Sequence, residues 1–265
     1  WSSDVCSSDL EFMRYSIVAK DDYVSKELTK KIKETINGTY DEAKPSIVFS
    51  VGGDGTVLDA VRKYIYLLNE ITLVAINTGN IGFYTEFLPE ELNELIKMLD
   101  DKTNIIKYLV LEVEIDGKVD YALNEVVVFV NHHLFEGKIF VDGTELMDIR
   151  ADGVCISTPS GSTAYNKSLK GAVVDRGLEL MQLVLMAPFE TIDKRVITPL
   201  ILNKDREVLI KPQSKYFDIS VDRTFVTYQK VDEIKVRVSE KKVKFLRKST
   251  QNFPKRLKEK FISRT

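Results

Sequence analysis

Near residue 105 the hydrophobic pattern of this 265-residue chain changes its period, and one repeating layer cannot accommodate both halves. Before that point, strand-like runs alternate with helix-like stripes. Residues 15–19 read as a strand, and Leu28, Ile32 and Ile36 recur at helical spacing. Pro45 closes the connection. Residues 47–51 then form the short, nearly continuous apolar run of a buried parallel strand. Leu58, Val61, Ile65 and Leu68 predict a second helix and residues 71–76 another buried strand; Pro89 opens a helix with Leu92, Leu95, Ile96 and Leu99 as its stripe. Such alternation predicts an α/β N-terminal domain with an open, mostly parallel sheet.

After residue 105 the period becomes two. Val113 and Ile115 lead into Asp116-Gly117, and Ile139 and Val141 into Asp142-Gly143, both strong hairpin signals. Ile234, Val236 and Val238 alternate with Lys235, Arg237 and Ser239, and Val243-Lys244-Phe245 follows. An all-β, sandwich-like C-terminal domain is the expectation. Residues 255–262 read as a closing helix.

Composition narrows the classes. Apolar residues make up 44% and charged residues 29%, the balance of a folded chain rather than a disordered one. The longest apolar runs, 126–130 and 183–187, are too short to cross a bilayer, so no membrane is expected as partner. Residues 1–12 read as a polar, Ser-rich leader foreign to the fold, with a natural start at Met13. Setting the leader aside removes Cys6 and leaves Cys155 alone, which suits a reducing cytoplasm. A formal net charge of −2 argues against a general nucleic-acid binder. Residues 241–265 carry ten bases against the single acid Glu259, and read as a solvated terminal strand and helix.

The most informative stretch is Gly52-Gly53-Asp54-Gly55-Thr56, placed between a buried strand and a helix. Glycines let backbone approach a ligand, and amides at a helix start favour an anion such as phosphate. Neither the Walker spacing nor the dinucleotide fingerprint is present. Asp54 inside an anion cradle needs a role: it binds a metal, takes a proton from a nucleophile, or caps the helix. The loop from Asn77 to Tyr84 leaves the next strand on the same side of the sheet, where ligands of open α/β sheets bind. Phe83 in it suits a stacked base or core packing. Asn124-Glu125 heads the run 126–130 and says little alone. Residues 151–168 are crowded with hydroxyls and turn formers, which suit sugar hydroxyls, phosphates or an adenine edge. The adjacent His132-His133 pair would point to opposite faces of a strand and suits a surface turn; Cys155 reads as a buried, inert thiol.

Together these pieces resemble the NAD kinase family, in its bacterial forms. Gly52-Gly53-Asp54-Gly55 matches the GGDG motif, Asn124-Glu125 the NE pair, and residues 158–165 the motif TPSGSTAY; Asn77-Thr78-Gly79 through Gly82-Phe83 matches the TGxLGF-like loop, with Ile81 for leucine. The resemblance implies phosphoryl transfer from ATP, or polyphosphate, to the 2′-hydroxyl of the adenosine ribose of NAD, with Mg²⁺. It implies Asp54 as general base and Gly52, Gly53, Gly55 and Thr56 around phosphates. It places Asn124 and Glu125 on the adenosine, with Gly55, Phe83, Thr163, Ala164, Tyr165 and Ser168 lining the nucleotide pocket. Arg150 and Asp152 assist, and Ala187 does so across a subunit contact in a homotetramer. Ala151, the segment 188–194 and Arg223 depart from the family pattern, Arg223 standing where relatives often have histidine. The domain expectation is residues 13–104 plus about 247–265 for the α/β part, its C-terminal helix returning there, and 105–246 for the β-rich part. GGDG alone also occurs in lipid and sugar kinases, and a dinucleotide-binding sensor without turnover would keep the same pocket.

Overall fold

The computed structural model describes residues 13–79, 82–99, 104–192, 194–248 and 253–263. The chain divides into two compact units. The first takes in described residues up to Ile105 together with 245–248; the second takes in Ile106–Lys244 and 253–263.

In the first unit β1 (Arg14–Ala19) is followed by α1 (Tyr23–Thr35), β2 (Thr39–Tyr40), β3 (Ile47–Gly52), α2 (Asp54–Lys63), β4 (Thr72–Asn77) and α3 (Leu92–Met98). The strands lie in the order β2, β1, β3, β4, all parallel, with Tyr15 opposite Ile47 and Val48 opposite Leu73. Phe245, near the chain's end, pairs parallel with Leu73. Alternate strand residues face opposite sides. Tyr15, Ile17, Phe49, Val51, Val74 and Ile76 share one core with Leu28 and Ile32 of α1 and Leu92 and Leu95 of α3. Ser16 belongs to the other face, where its hydroxyl meets that of Tyr64 at the end of α2. Helix α1 starts where Asp22 accepts the Ser25 amide (2.8 Å), a cap worth about 1 kcal/mol.

One helix is shorter than its pattern. Thr56, Val57, Ala60 and Val61 are its buried residues, Leu58 is half-buried, and Ile65 and Leu68 are buried in the turn beyond Lys63. The Tyr64–Ser16 contact turns the chain back onto the sheet there, so an apolar series at helical spacing outlasts the helix.

The second unit begins with β5 (Ile105–Ile115), β6 (Lys118–Ala122), β7 (Glu125–Phe129), β8 (Phe135–Val141), β9 (Thr144–Ala151) and β10 (Gly153–Ser157). A short helix α4 (Tyr165–Ser168) precedes β11 (Leu180–Met186), β12 (Leu200–Asn203), β13 (Glu207–Pro212), β14 (Tyr216–Val221), β15 (Thr224–Gln229), β16 (Ile234–Leu246) and α5 (Phe253–Leu257). One sheet runs β12-β11-β10-β7-β14-β15, antiparallel throughout. The other runs β16-β13-β8-β9, with β5 on β16 and β6 on β5. Val126, Val128, Val154, Ile156, Leu183 and Ile219 from the first sheet pack with Phe135, Ile139, Ile149, Val208, Ile210 and Val236 from the second in one core. The sandwich expectation holds. Both Asp-Gly hairpins form with left-handed backbone at Asp116, Gly117, Asp142 and Gly143, as two-residue turns between twisted strands require.

The C-terminal expectation needs correcting. Residues 245–248 do join the first unit, but 253–263, with α5, group with the second. Within that unit the Arg176 guanidinium lies 5.5 Å from the Phe253 ring centre, and the Lys167 ammonium 4.3 Å from that of Phe261.

Phe135 is fully buried in the inter-sheet core, edge-on to Phe217 at 5.7 Å. Phe135→Ala is expected to cost about 3–5 kcal/mol in urea unfolding; an unchanged midpoint would contradict this core arrangement.

Candidate active site

In the first unit the glycine-rich turn sits at the carboxyl end of β3. Gly52 closes the strand, and Gly53 caps α2 with open space where a side chain would stand. Asp54 is the first residue of α2, where a carboxylate also meets the positive end of the helix dipole. Its side chain is tied across to the loop after β4: Oδ2 accepts the Phe83 amide (2.7 Å) and Oδ1 the Tyr84 amide (2.9 Å). Gly82 is required beside it, because a Cβ there would lie 2.0 Å from Oδ1. The turn and the loop after β4 therefore meet within this unit, as the sequence predicted. Gly55 lies in the first turn of α2; Thr56 is buried, and its amide donates to the Gly53 carbonyl (3.0 Å). Phe83 is buried, so its backbone rather than its ring faces the carboxylate.

In the second unit Asn124 and Glu125 are both buried at the head of β7. Asp222, in left-handed conformation at the β14–β15 turn, holds them there. Its carboxylate accepts the amides of Leu123 (2.8 Å), Asn124 (2.8 Å) and Glu125 (3.2 Å). The Glu125 side chain lies on the sheet face opposite the sandwich core, with Ser157 as its register partner on β10. Burial raises its pKa to about 8, the Asp222 charge adds to the rise, and the Tyr165 amide opposes it.

The motif of residues 158–166 packs over Asn124-Glu125. The Thr158 amide donates to the Asn124 carbonyl (2.9 Å), and its hydroxyl donates to the Leu123 carbonyl (2.7 Å) and receives the Gly161 amide (2.9 Å). Gly161 has no room for a side chain, since a Cβ would stand 2.0 Å from the Asn124 carbonyl oxygen. The Ser162 hydroxyl donates to the Pro159 carbonyl (2.7 Å) and receives the Val174 amide (2.9 Å). The hydroxyls of Thr158, Ser160 and Ser162 are thus buried and internally bonded rather than offered to a ligand. Thr163 and Ala164 are half-buried, and Tyr165 and Ser168 are exposed.

Other expected residues take their places in the same unit. Arg150 pairs with Glu136 (2.8 Å) and lies 5.7 Å from the Phe189 ring. Asp152 is exposed, and Ala187 is exposed just after β11 in left-handed conformation. Ala151 is fully buried, opposite Phe135. The histidine pair is exposed between β7 and β8, and Cys155 is buried, its thiol pushed well above its ordinary range by desolvation. Asn80 and Ile81 lie outside the described residues. Two residues were missed by the sequence reading: Asp222, whose two-residue turn carries no glycine or asparagine, and Arg247, one base in a base-rich tail.

Among the described residues no group of three or more His, Cys, Asp or Glu side chains could hold a metal.

A fixed carboxylate at a glycine-rich strand-to-helix turn in the first unit, and a buried polar pair at the head of β7 in the second, are features that suit a nucleotide-using phosphotransferase. Residues 11–102 match the model of the ATP-NAD kinase N-terminal domain, and residues 123–248 that of the ATP-NAD kinase C-terminal domain. The chain belongs to the NAD kinase family. It is 37% identical to NAD kinase 1 of Halalkalibacterium halodurans, over 94% of this chain and 99% of the relative, and 35% identical to the NAD kinase of Staphylococcus carnosus, over 95% and 98%. It resembles the structure of an Archaeoglobus fulgidus NAD kinase in complex with ATP (TM-score 0.78, 25% identity, 93% and 99% of the two chains). The yeast NADH kinase complexed with NADH shares the fold (TM-score 0.84, 21% identity, 96% and 89%).

The raised Glu125 pKa has a consequence for stability. Between its ordinary value of 4.5 and about 8, the folded protein keeps a proton that the unfolded chain has released. Stability therefore falls as pH rises through that window. Glu125→Gln removes the effect, so thermal melts from pH 5 to 8.5 should decline less steeply in the variant than in the wild type. Parallel curves would place the titration elsewhere.

Proposed function

We propose that this chain transfers the terminal phosphoryl group of ATP, or of polyphosphate, to the 2′-hydroxyl of the adenosine ribose of NAD, giving NADP. The observation that carries this reading is the Asp54 carboxylate, fixed on Phe83 and Tyr84 amides at the glycine-rich turn. Each amide takes one lone pair of one oxygen, which leaves a second on each to accept a proton. Asp54 takes the hydroxyl proton as that oxygen bonds to the terminal phosphorus, and the bond from phosphorus to the rest of the donor breaks. Phosphoryl transfer asks a protein mainly for positioning and charge stabilisation. Gly52, Gly53, Gly55 and Thr56 would face the phosphates. Mg²⁺ is the divalent ion we assign, and when bound it would neutralise phosphate charge.

Asn124 and Glu125 would hold the adenosine, with Thr163, Ala164, Tyr165 and Ser168 around it and Arg150 and Asp152 alongside. Phe83 contributes through its backbone. Ala187 would act across a subunit contact in a homotetramer; exposed apolar side chains at Phe225, Val226, Phe189 and Ile201 support self-association. No helix among the described residues is long and apolar enough to cross a membrane. We assign the protein to the cytoplasm, a setting that suits the reduced, buried Cys155.

The test is NADP formation from NAD, ATP and Mg²⁺, read with an NADP-specific dehydrogenase. Asp54→Asn should keep the fold and NAD binding and lower kcat by about 10²–10⁴-fold. A folded wild type that binds NAD yet forms no NADP from ATP or polyphosphate would overturn the proposal.

A further inference from the structure

Arg247 is 3% exposed and Glu86, its ion-pair partner at 2.9 Å, is 4% exposed. Burying two charges is costly unless further hydrogen bonds satisfy the groups that the pair leaves over. Here the guanidinium also reaches the loop that holds Asp54. Its Nη1 donates to the Tyr84 carbonyl (2.8 Å) and its Nη2 to the Phe83 carbonyl (3.4 Å). The Phe83 carbonyl and the Tyr84 amide belong to one planar peptide group. That single peptide therefore has the Arg247 guanidinium on its oxygen and the Asp54 Oδ1 on its nitrogen.

We propose that Arg247, oriented by Glu86, is a positioning residue for the phosphoryl transfer, fixing Asp54 through the Phe83–Tyr84 peptide. The proposal rests on the reading of Asp54 as general base. A cation on the carbonyl polarises the peptide and strengthens its N–H as a donor, the cooperative effect of chained hydrogen bonds. The planar fork of arginine can engage two carbonyls and a carboxylate together, whereas a lysine ammonium is a point charge. The far side of the clamp is equally determined. Phe245 is locked against Leu73 in the sheet, its ring stacks on Tyr84 at 5.7 Å, and the Arg247 amide donates to the Asn104 carbonyl (2.8 Å). Residues 82–84 are thus held between the sheet end and the first turn of α2, and the carboxylate has one place to stand.

A purely structural ion pair and a positioning clamp differ in a double-mutant cycle with Asp54. Arg247→Lys keeps a cation opposite Glu86 and loses the fork; Glu86→Gln keeps the shape and loses the orienting charge. Each is combined with Asp54→Asn, and kcat and KM for NAD are measured, single-turnover where the double variants are slow. Arg247→Lys should lower kcat about 10- to 100-fold with little change in KM, the scale of a displaced catalytic group. The same change in the Asp54→Asn background should have almost no further effect, because the group being placed is already gone. Glu86→Gln should show a smaller fall with the same non-additivity, and it carries the test if Arg247→Lys fails to fold. Unchanged kcat, or equal losses in both backgrounds, would overturn the clamp while leaving Asp54 as base. Full turnover in Asp54→Asn itself would overturn the base reading and the clamp with it.

Discussion

A carboxylate withdrawn from bulk water needs donors, and loop amides without a ladder partner need acceptors. Both units join these two needs in one device. Asp54 accepts two consecutive amides of the loop after β4, and Asp222 accepts three consecutive amides at the entrance to β7. In each case one short side chain fixes a stretch of backbone that regular structure leaves unpaired. Loss of a carboxylate would take one acceptor from two amides at Asp54 and from three at Asp222. The site residues are therefore placed by polar pairing at strand ends, and the hydrophobic cores beneath supply the rigid strands from which those ends project.

This changes what the long hydroxyl-rich motif means. A run of Thr, Ser and Gly suggests an array of donors and acceptors waiting for a sugar or a phosphate. Instead Thr158, Ser160 and Ser162 bond to carbonyls and amides of their own unit, and Gly161 lets the Asn124 carbonyl approach. Gln182 continues the pattern from β11, receiving the Ala172 amide and donating to its carbonyl. The motif is long because a tight backbone course over a sheet needs a partner for nearly every polar group. Tyr165 and Ser168 are exposed, Thr163 and Ala164 half-buried, and these four are the residues that the proposed function would turn to the ligand.

The sequence shows most plainly what is local. The change of period at residue 105, both Asp-Gly hairpins and the strand–turn–helix around Asp54 follow from neighbours along the chain, and each stands in the structure. Helix α2 ends early because Tyr64 finds Ser16, 48 residues away. Asp222 and Arg247 escape for the same reason: their partners lie about 97–99 and 161–164 residues distant, with no spacing rule to join them. The grouping of residues 253–263 with the second unit is likewise non-local, since Arg176 lies 77 residues from Phe253 and Lys167 lies 94 from Phe261.

Under the proposed function, Glu125 on the polar face of β7 would meet the adenosine. Its Oε2 and the Ser157 hydroxyl are buried without a hydrogen-bond partner, on residues that are register partners in adjacent strands. Folded proteins seldom leave such atoms unanswered, because each costs the desolvation of a polar group. A carboxyl with a pKa near 8 eases that cost by staying neutral at pH 7, and a neutral carboxyl can donate as well as accept. Hydroxyls and ring nitrogens of an adenosine offer both functions. A ligand bonding there would remove a penalty already present in the free protein, so part of its affinity would come from relief of an unpaired site and not only from new contact.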